Sequence, residues 1–190
     1  MTTSIVYLLG SPGVGKPTVA EALAARTGAA VVDNHKVNLP LMSLFRWDGR
    51  TELPEEVWGY VERVRGVVLD ALAEIAPRDA SYVLTNALEA DDESVVWFDR
   101  IAAVAAARDA VFVPVRLVCD LEEQLRRVVA EDRVVRLKLS DPDRTRELIA
   151  SVDYFTPTGP TALVLDTTAR SAEETAAVIE EHVRSLLTAG

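Results

Sequence analysis

Cysteine is almost missing from this 190-residue chain: Cys119 stands alone, so an internal disulfide and a cysteine-rich metal site are excluded, and the usage fits a reducing compartment. Histidine is nearly as scarce, with only two in the chain. His35 lies in a loop and His182 on the last expected helix, so no metal site follows from them. Basic charge is also short. Lys and Arg number 20 against 30 Asp and Glu, a formal charge of -10, which removes the broad electrostatic grip that long nucleic acid or an anionic membrane requires. No stretch approaches the roughly 18 uninterrupted apolar residues of a membrane span. The N-terminus shows neither the basic flank nor the cleavage site of a secretory signal. These absences leave the expectation of one cytoplasmic domain over 1–190, monomeric or homodimeric, whose partner is a small molecule.

What is present is alternation. Ile5 to Leu9 (IVYLL) is a short apolar run ending at a glycine-rich turn, the pattern of a strand covered on both faces, and it reads as the central strand. Comparable runs at Ala30 to Val32, Tyr82 to Leu84, Val111 to Val118 and Ala162 to Leu165 make five strand candidates. Helical spacing falls between them: Lys16 to Thr27, Trp58 to Ile75 after Pro54, Asp92 to Ala107, Leu121 to Val135, and Ala172 to Leu187, where Ser171 and Glu174 form a capping-box pattern. The order predicts a three-layer α/β/α domain on a five-stranded parallel sheet. Ligands in such folds bind beyond the carboxyl ends of the strands. Gly10 to Lys16, Asp33 to His35, Asn86 and Asp166 to Thr168 are therefore expected to meet in one crevice.

The stretch GSPGVGKPT, Gly10 to Thr18, follows the first strand and opens the first helix. Gly10-x4-Gly15-Lys16 has the spacing of a Walker A loop, in which backbone N–H groups of residues such as Ser11, Gly13 and Val14 curl around phosphate and the helix N-terminus adds positive potential. Pro17 breaks the pattern. A Ser or Thr hydroxyl normally ligates magnesium there, and proline has neither hydroxyl nor N–H. Losing one hydrogen bond to a charged group removes about 1.5 to 3 kcal/mol, so the remaining amides and Lys16 are expected still to bind. Magnesium keeps several waters in such sites and would be held through water near Asp33, with no direct protein ligand. Thr18, turned by about 100° along the helix, is expected on an inner phosphate.

These residues resemble the small P-loop kinases, the group of shikimate kinase, gluconate kinase, nucleoside monophosphate kinases and chloramphenicol phosphotransferase. The resemblance implies a P-loop kinase-like fold with a small helical lid, ATP or GTP with Mg2+ as cofactors, and transfer of the γ-phosphoryl group to a hydroxyl of a small metabolite or antibiotic-like molecule, with antibiotic resistance as one such role. It places Asp33, in VVDNH, as the residue that orients or deprotonates the acceptor. A carboxylate near Lys16 is also what the chemistry requires, because the attacking hydroxyl must lose a proton. Asp33 serves equally as an Asx turn or N-cap.

In LRRVVAEDRVVRLKLSD the resemblance implies a lid over 126–142, with Arg133 and Arg136 closing on the transferred group and Arg126 on the nucleotide. The same arginines also read as a solvated face paired with Glu122, Glu123 and Glu131. The acceptor region is expected over 34–59, with Asn34, His35, Phe45, Trp47 and Trp58 lining it and Asn86 holding a substrate hydroxyl. The apolar members read equally as core. Asp166, Thr167 and Thr168 are expected at the base. Two alternatives stay open: a nucleotide-binding module without transfer chemistry, and a small regulatory NTPase, against which the lack of an apolar run ending in Asp-Glu counts.

Overall fold

A computed structural model describes residues 2–47, 53–129 and 141–189. Strand β1 (Ser4–Leu9) alternates its side chains across two cores, because successive residues of a strand face opposite ways. Val6 and Leu8 enter one core, with Val19, Ala20 and Leu23 of α1 (Lys16–Thr27) and Ala176, Ile179 and Val183 of α7 (Ala172–Ala189). Ile5, Tyr7 and Leu9 enter the other, with Leu69 and Leu72 of α3 (Glu56–Glu74) and Ile101, Val104 and Ala105 of α4 (Asp92–Ala107). A strand buried on both faces must lie mid-sheet. The order is β2-β3-β1-β4-β5, all parallel, with β2 at Ala30–Asp33, β3 at Tyr82–Asn86, β4 at Val111–Val118 and β5 at Leu163–Asp166. The three-layer α/β/α architecture is as expected.

Local chemistry explains where the elements begin. The Ser171 hydroxyl receives the N–H of Glu174 while the Glu174 carboxylate accepts from the Ser171 N–H, the reciprocal box that starts α7. Two further helices were not legible in the sequence pattern. The Asp33 carboxylate accepts from the N–H groups of His35 and Lys36 and starts α2 (Asn34–Leu44), which runs through Pro40. Asp141 likewise accepts from Asp143 and Arg144 and starts α6 (Pro142–Ser151). Helix α5 (Leu121–Val128) begins where expected, and the rest of the predicted Leu121 to Val135 span lies outside the described residues. Among the described residues no helix is long and apolar enough to cross a membrane.

The register sets the site. Leu9 lies level with Asn86 and with Arg116, and Asp33 with Thr85, so the loop after β1 and the ends of β2 and β3 open at one edge.

Arg108 closes the opposite part of the second core. It is buried, its ring-stacking partner is Tyr82 at 4.8 Å, and its guanidinium donates to the carbonyls of Leu72, Ala76, Pro77 and Ala80 beyond the end of α3. Leu72 belongs to the last turn of α3, where carbonyls run out of helical partners, and the Pro77 carbonyl also accepts from the Ala80 N–H. Arg108→Ala is expected to lower unfolding free energy by about 3 kcal/mol, since hydrogen bonds to a charged group are worth about 1.5 to 3 each and water can enter to recover part. Urea denaturation measures it.

Candidate functional site

The loop between β1 and α1 is held down before it can hold anything. A Cβ on Gly10 would overlap the carbonyl oxygen of Leu117, so the chain passes closer to β4 than any side chain allows. Ser11 is buried and donates to Oε1 of Gln124 at 2.6 Å, and the Gln124 amide donates onward to the carbonyl of Cys119. Thr167, also buried, lies 3.1 Å from the carbonyls of both Val14 and Val118. The loop is thus pinned to α5, β4 and the end of β5. Lys16 folds back across it, donating to the carbonyls of Gly10 at 2.6 Å and Ser11 at 2.9 Å. Gly15 is the left-handed N-cap of α1, and Pro17 sits within the first turn, where a missing N–H breaks no helical bond.

The single crevice expected from the sequence is split in two by this loop. One cleft, of about 360 Å3, is lined on the loop side by Gly13, Gly15, Lys16 and Pro17, and opposite by Asp33, Asn34, His35, Trp47, Trp58, Asn86 and Leu148. The other, of about 550 Å3, contains Val14, Gly15, Thr18, Arg126, Arg127, Thr167 and Thr168. Thr18 therefore faces away from Asp33. Asp166 lines neither cleft; its carboxylate accepts from the N–H and hydroxyl of Thr168, which hold its pKa below the ordinary value. Phe45, 48% exposed, lies outside both clefts as well, because it follows the end of α2 instead of facing inward. Trp47 does face the cleft, with its ring centroid 6.0 Å from that of His35.

Arg126 and Arg127 divide their work differently from the expectation. Arg126 is largely exposed and bound to Glu123, whereas Arg127 reaches past Glu123 to the hydroxyl and carbonyl of Thr167. The two guanidiniums, Arg126 first and Arg127 second, hold the Glu123 carboxyl down at about 2. Arg127 is thus the arginine fixed at the loop, with its terminal nitrogen 3.8 Å from where a Gly15 Cβ would stand. Arg133 and Arg136 lie outside the described residues.

Behind the first cleft runs a polar chain the sequence did not signal. The Asn86 amide oxygen accepts from the Ala87 N–H at 2.8 Å and from the Asn34 side-chain amide at 3.0 Å, and its nitrogen donates to the Tyr7 hydroxyl at 3.2 Å. A backbone N–H can only donate, so this fixes which end of the Asn86 amide is oxygen. Burial raises the Tyr7 phenol pKa well above its ordinary value despite that donation. Arg65 of α3 enters the same cleft, its Nε donating to the buried Asn38 at 3.1 Å. Neither Tyr7 nor Arg65 belongs to a motif; only the packing of β1 against α3 brings them to Asn86.

The loop's geometry gives a direct test. A Cβ on Gly13, at φ +90°, would lie 2.9 Å from the carbonyl oxygen of Gln124. Such left-handed strain costs on the order of 1 to 3 kcal/mol. Gly13→Ala is expected to weaken nucleotide binding by roughly tenfold or more in calorimetric titration, while the cores away from the loop retain their stability.

Comparison with known proteins agrees with this geometry. Residues 6–173 match the family model described as "ATPase family associated with various cellular activities (AAA)". No curated protein matches the chain. Among solved structures, the chain is similar to a presumed kinase from Chloroflexus aurantiacus at TM-score 0.68 and 16% identity, over 97% of both chains. It is similar to the APS kinase of Mycobacterium tuberculosis, solved with AMPPNP and APS, at TM-score 0.60 and 20% identity, over 96% of this chain and 98% of that one. Shikimate kinase from Acinetobacter baumannii, solved with shikimate, aligns at TM-score 0.56 and 21% identity, over 97% and 95%. The chain's fold is similar to that of small-molecule kinases, and the chain belongs to the AAA ATPase family.

Proposed function

We propose that the protein is an NTP-dependent phosphotransferase that moves the γ-phosphoryl group of ATP or GTP to a hydroxyl of a small metabolite or antibiotic-like molecule. The observation that carries this reading is the first cleft: Lys16 and Asp33 line one cavity of about 360 Å3, within the range of small-molecule sites and larger than a hydrolytic water needs. The structures it resembles are of small-molecule kinases, including enzymes named for shikimate and gluconate, which agrees with a small acceptor.

In this reading the loop amides and Lys16 neutralise the outer phosphates, and Thr18, Arg127, Thr167 and Thr168 form the side that receives the rest of the nucleotide. The acceptor enters opposite, between Trp47 and Trp58. Its O–H proton passes to the Asp33 carboxylate as its oxygen bonds the γ-phosphorus, and the bond from that phosphorus to the β–γ bridging oxygen breaks to release the nucleoside diphosphate. Asn86 offers the cleft an amide N–H, because its oxygen is already engaged twice. Arg133 and Arg136 remain proposed lid arginines, and residues 1–190 a proposed single domain.

Asp33→Asn separates chemistry from folding. Asparagine caps a helix about as well as aspartate, so α2 should persist while the base is lost. The expected result is a fall in kcat of roughly 10² or more, within the usual contribution of general acid–base catalysis, with ATP affinity and Tm little changed. Transfer of the labelled γ-phosphoryl group across a panel of hydroxylated compounds measures it. Undiminished transfer would remove Asp33 as base.

The fold family implies a divalent ion beside the phosphates, and the residues present do not fit one bound directly. Pro17 has no hydroxyl, Thr18 faces the second cleft, the Asn86 oxygen is occupied, and Asp33, the carboxylate in the lining of the first cleft, is engaged by the N–H groups of His35 and Lys36. The nucleotide is therefore expected to bind within about threefold of the same affinity with magnesium or with EDTA. Pro17→Ser, restoring a hydroxyl and an N–H worth about 1.5 to 3 kcal/mol, is expected to introduce a magnesium dependence of about tenfold, read by calorimetry.

Pro17 also favours a second reading, a nucleotide-binding module without transfer. It predicts no labelled product from any acceptor, in the native protein or in Pro17→Ser.

A further inference from the structure

Helix α3 presents different faces to the core and to solvent. Leu69 and Leu72 enter the second core and Trp58 and Arg65 line the first cleft, whereas Tyr60, Arg63, Val67, Asp70 and Glu74, three or four residues apart, form an exposed outward stripe. Its apolar members stand in water: Tyr60 is 56% exposed and Val67 67%. Val96 of α4, one turn before Arg100 and also 67% exposed, continues the patch. An open groove of about 440 Å3 runs between the two helices, walled by Arg63, Val67, Asp70, Trp97 and Arg100.

Two cations lie against aromatic rings on this face. The Arg100 guanidinium is 5.3 Å from the centroid of the Trp97 ring and donates to the Gly66 carbonyl and to Asp70. The Arg63 guanidinium covers the Tyr60 ring at 5.6 Å, and among the described residues no carboxylate lies within ion-pairing distance of it. The charges of the stripe are complementary to themselves. Two α3 helices crossing antiparallel at Val67 set Arg63, on the turn before the crossing, against Asp70 of the other copy, on the turn after it, and the two-fold axis repeats the pair on its far side. Tyr60 then meets Glu74 of the other copy, a phenol facing a carboxylate. Packed in parallel, the helices would bring Arg63 to Arg63 and Asp70 to Asp70, so the charges select one orientation. A different partner has no need of such a match, whereas an isologous contact requires it.

We propose that this face is the contact of a two-fold homodimer, with Val67 at the dyad and the pair of Arg63 with Asp70 formed twice. Asp70 keeps room for a second cation, since its side chain is 62% exposed beside Arg100. With 19 residues, α3 spans about 28 Å, and two helices side by side at about 10 Å give a face on the order of 600 Å2 per copy, the low end for a specific interface, so the dimer is weak and reversible. The same helix carries Trp58 and Arg65, so the contact braces one wall of the first cleft in each copy.

Sedimentation velocity at protein concentrations from about 1 to 200 μM tests it, because an interface of this size gives affinities no tighter than micromolar. The expected species is a dimer in exchange with monomer and nothing larger, since a two-fold contact closes on itself. Val67→Glu, which brings two carboxylates together at the dyad, should weaken association at least tenfold. Arg63→Glu and Asp70→Lys should each do the same, with Tm little changed at these exposed positions. The double variant Arg63→Glu with Asp70→Lys reverses the pair and should regain association to within about threefold of the native protein. Within one chain these two positions are seven residues, about 10 Å, apart along the helix, so recovery by the swap reports a contact between copies even where a single variant also loses Tm. A monomer across the whole range overturns the proposal, as does a dimer that none of the single variants weakens, or a charge swap that associates no better than its two singles.

Discussion

The close approach of the glycine loop to β4 and α5 is the constraint on which the rest of the site depends. Gly10 passes the Leu117 carbonyl with no room for a side chain, Ser11 is tied to Gln124, and Thr167 holds Val14 against the end of β4. These contacts oblige the loop to turn its amides away from the sheet and towards the strand ends. A loop immobilised in this way needs no ligand to organise it, so binding does not have to offset the entropy of ordering it. The loop also divides the strand-end opening into two clefts, one towards Asp33 and the other towards Thr167.

Asp33 shows how one residue can serve folding and, in the proposed reaction, chemistry together. As the final residue of β2 it lies level with Thr85, and as N-cap it sets the start of α2. Asn34 follows, bonded through its N–H to the Thr85 hydroxyl and through its side chain to Asn86, which is in turn bonded to Tyr7. The step from strand to helix is therefore fixed from three strands at once. A carboxylate on so restrained a backbone keeps its position relative to Lys16, as the proposed in-line transfer would require. Arg65 is restrained by the same helix, through Asn38.

Composition set the background and packing set the exceptions. Arg26, Arg100, Arg126, Arg127, Arg146 and Arg184 meet carboxylates locally, in pairs three or four residues apart or between neighbouring helices, and exposed pairs of that kind contribute little to stability. The informative arginines are those that the fold turns onto backbone carbonyls. Arg108 gathers carbonyls of the last turn of α3 and of the segment after it, and Arg127 braces the loop from the side opposite Asp33.

The strands, the parallel sheet, the loop and the helices packed on the two cores were legible because each rests on local pattern: apolar runs bounded by turns, helical spacing, and glycine and lysine at set intervals. Helices α1 and α4 and strand β4 have the limits that this pattern predicts. Helix α2 was not legible, since Pro40 and a polar beginning conceal it, and its start depends on a cap that any loop aspartate resembles. Less legible still were Tyr7, Asn38 and Arg65, in and behind the first cleft: they lie on three elements, and their meeting with Asn86 and Asn34 is decided by the order of the strands and by how α2 and α3 pack. Local sequence determined which segments form the scaffold and marked the glycine loop, Lys16, Asp33 and Asn86 for the strand ends; tertiary structure decided which further side chains join them in the first cleft, because that depends on residues distant in the chain being brought within hydrogen-bonding reach.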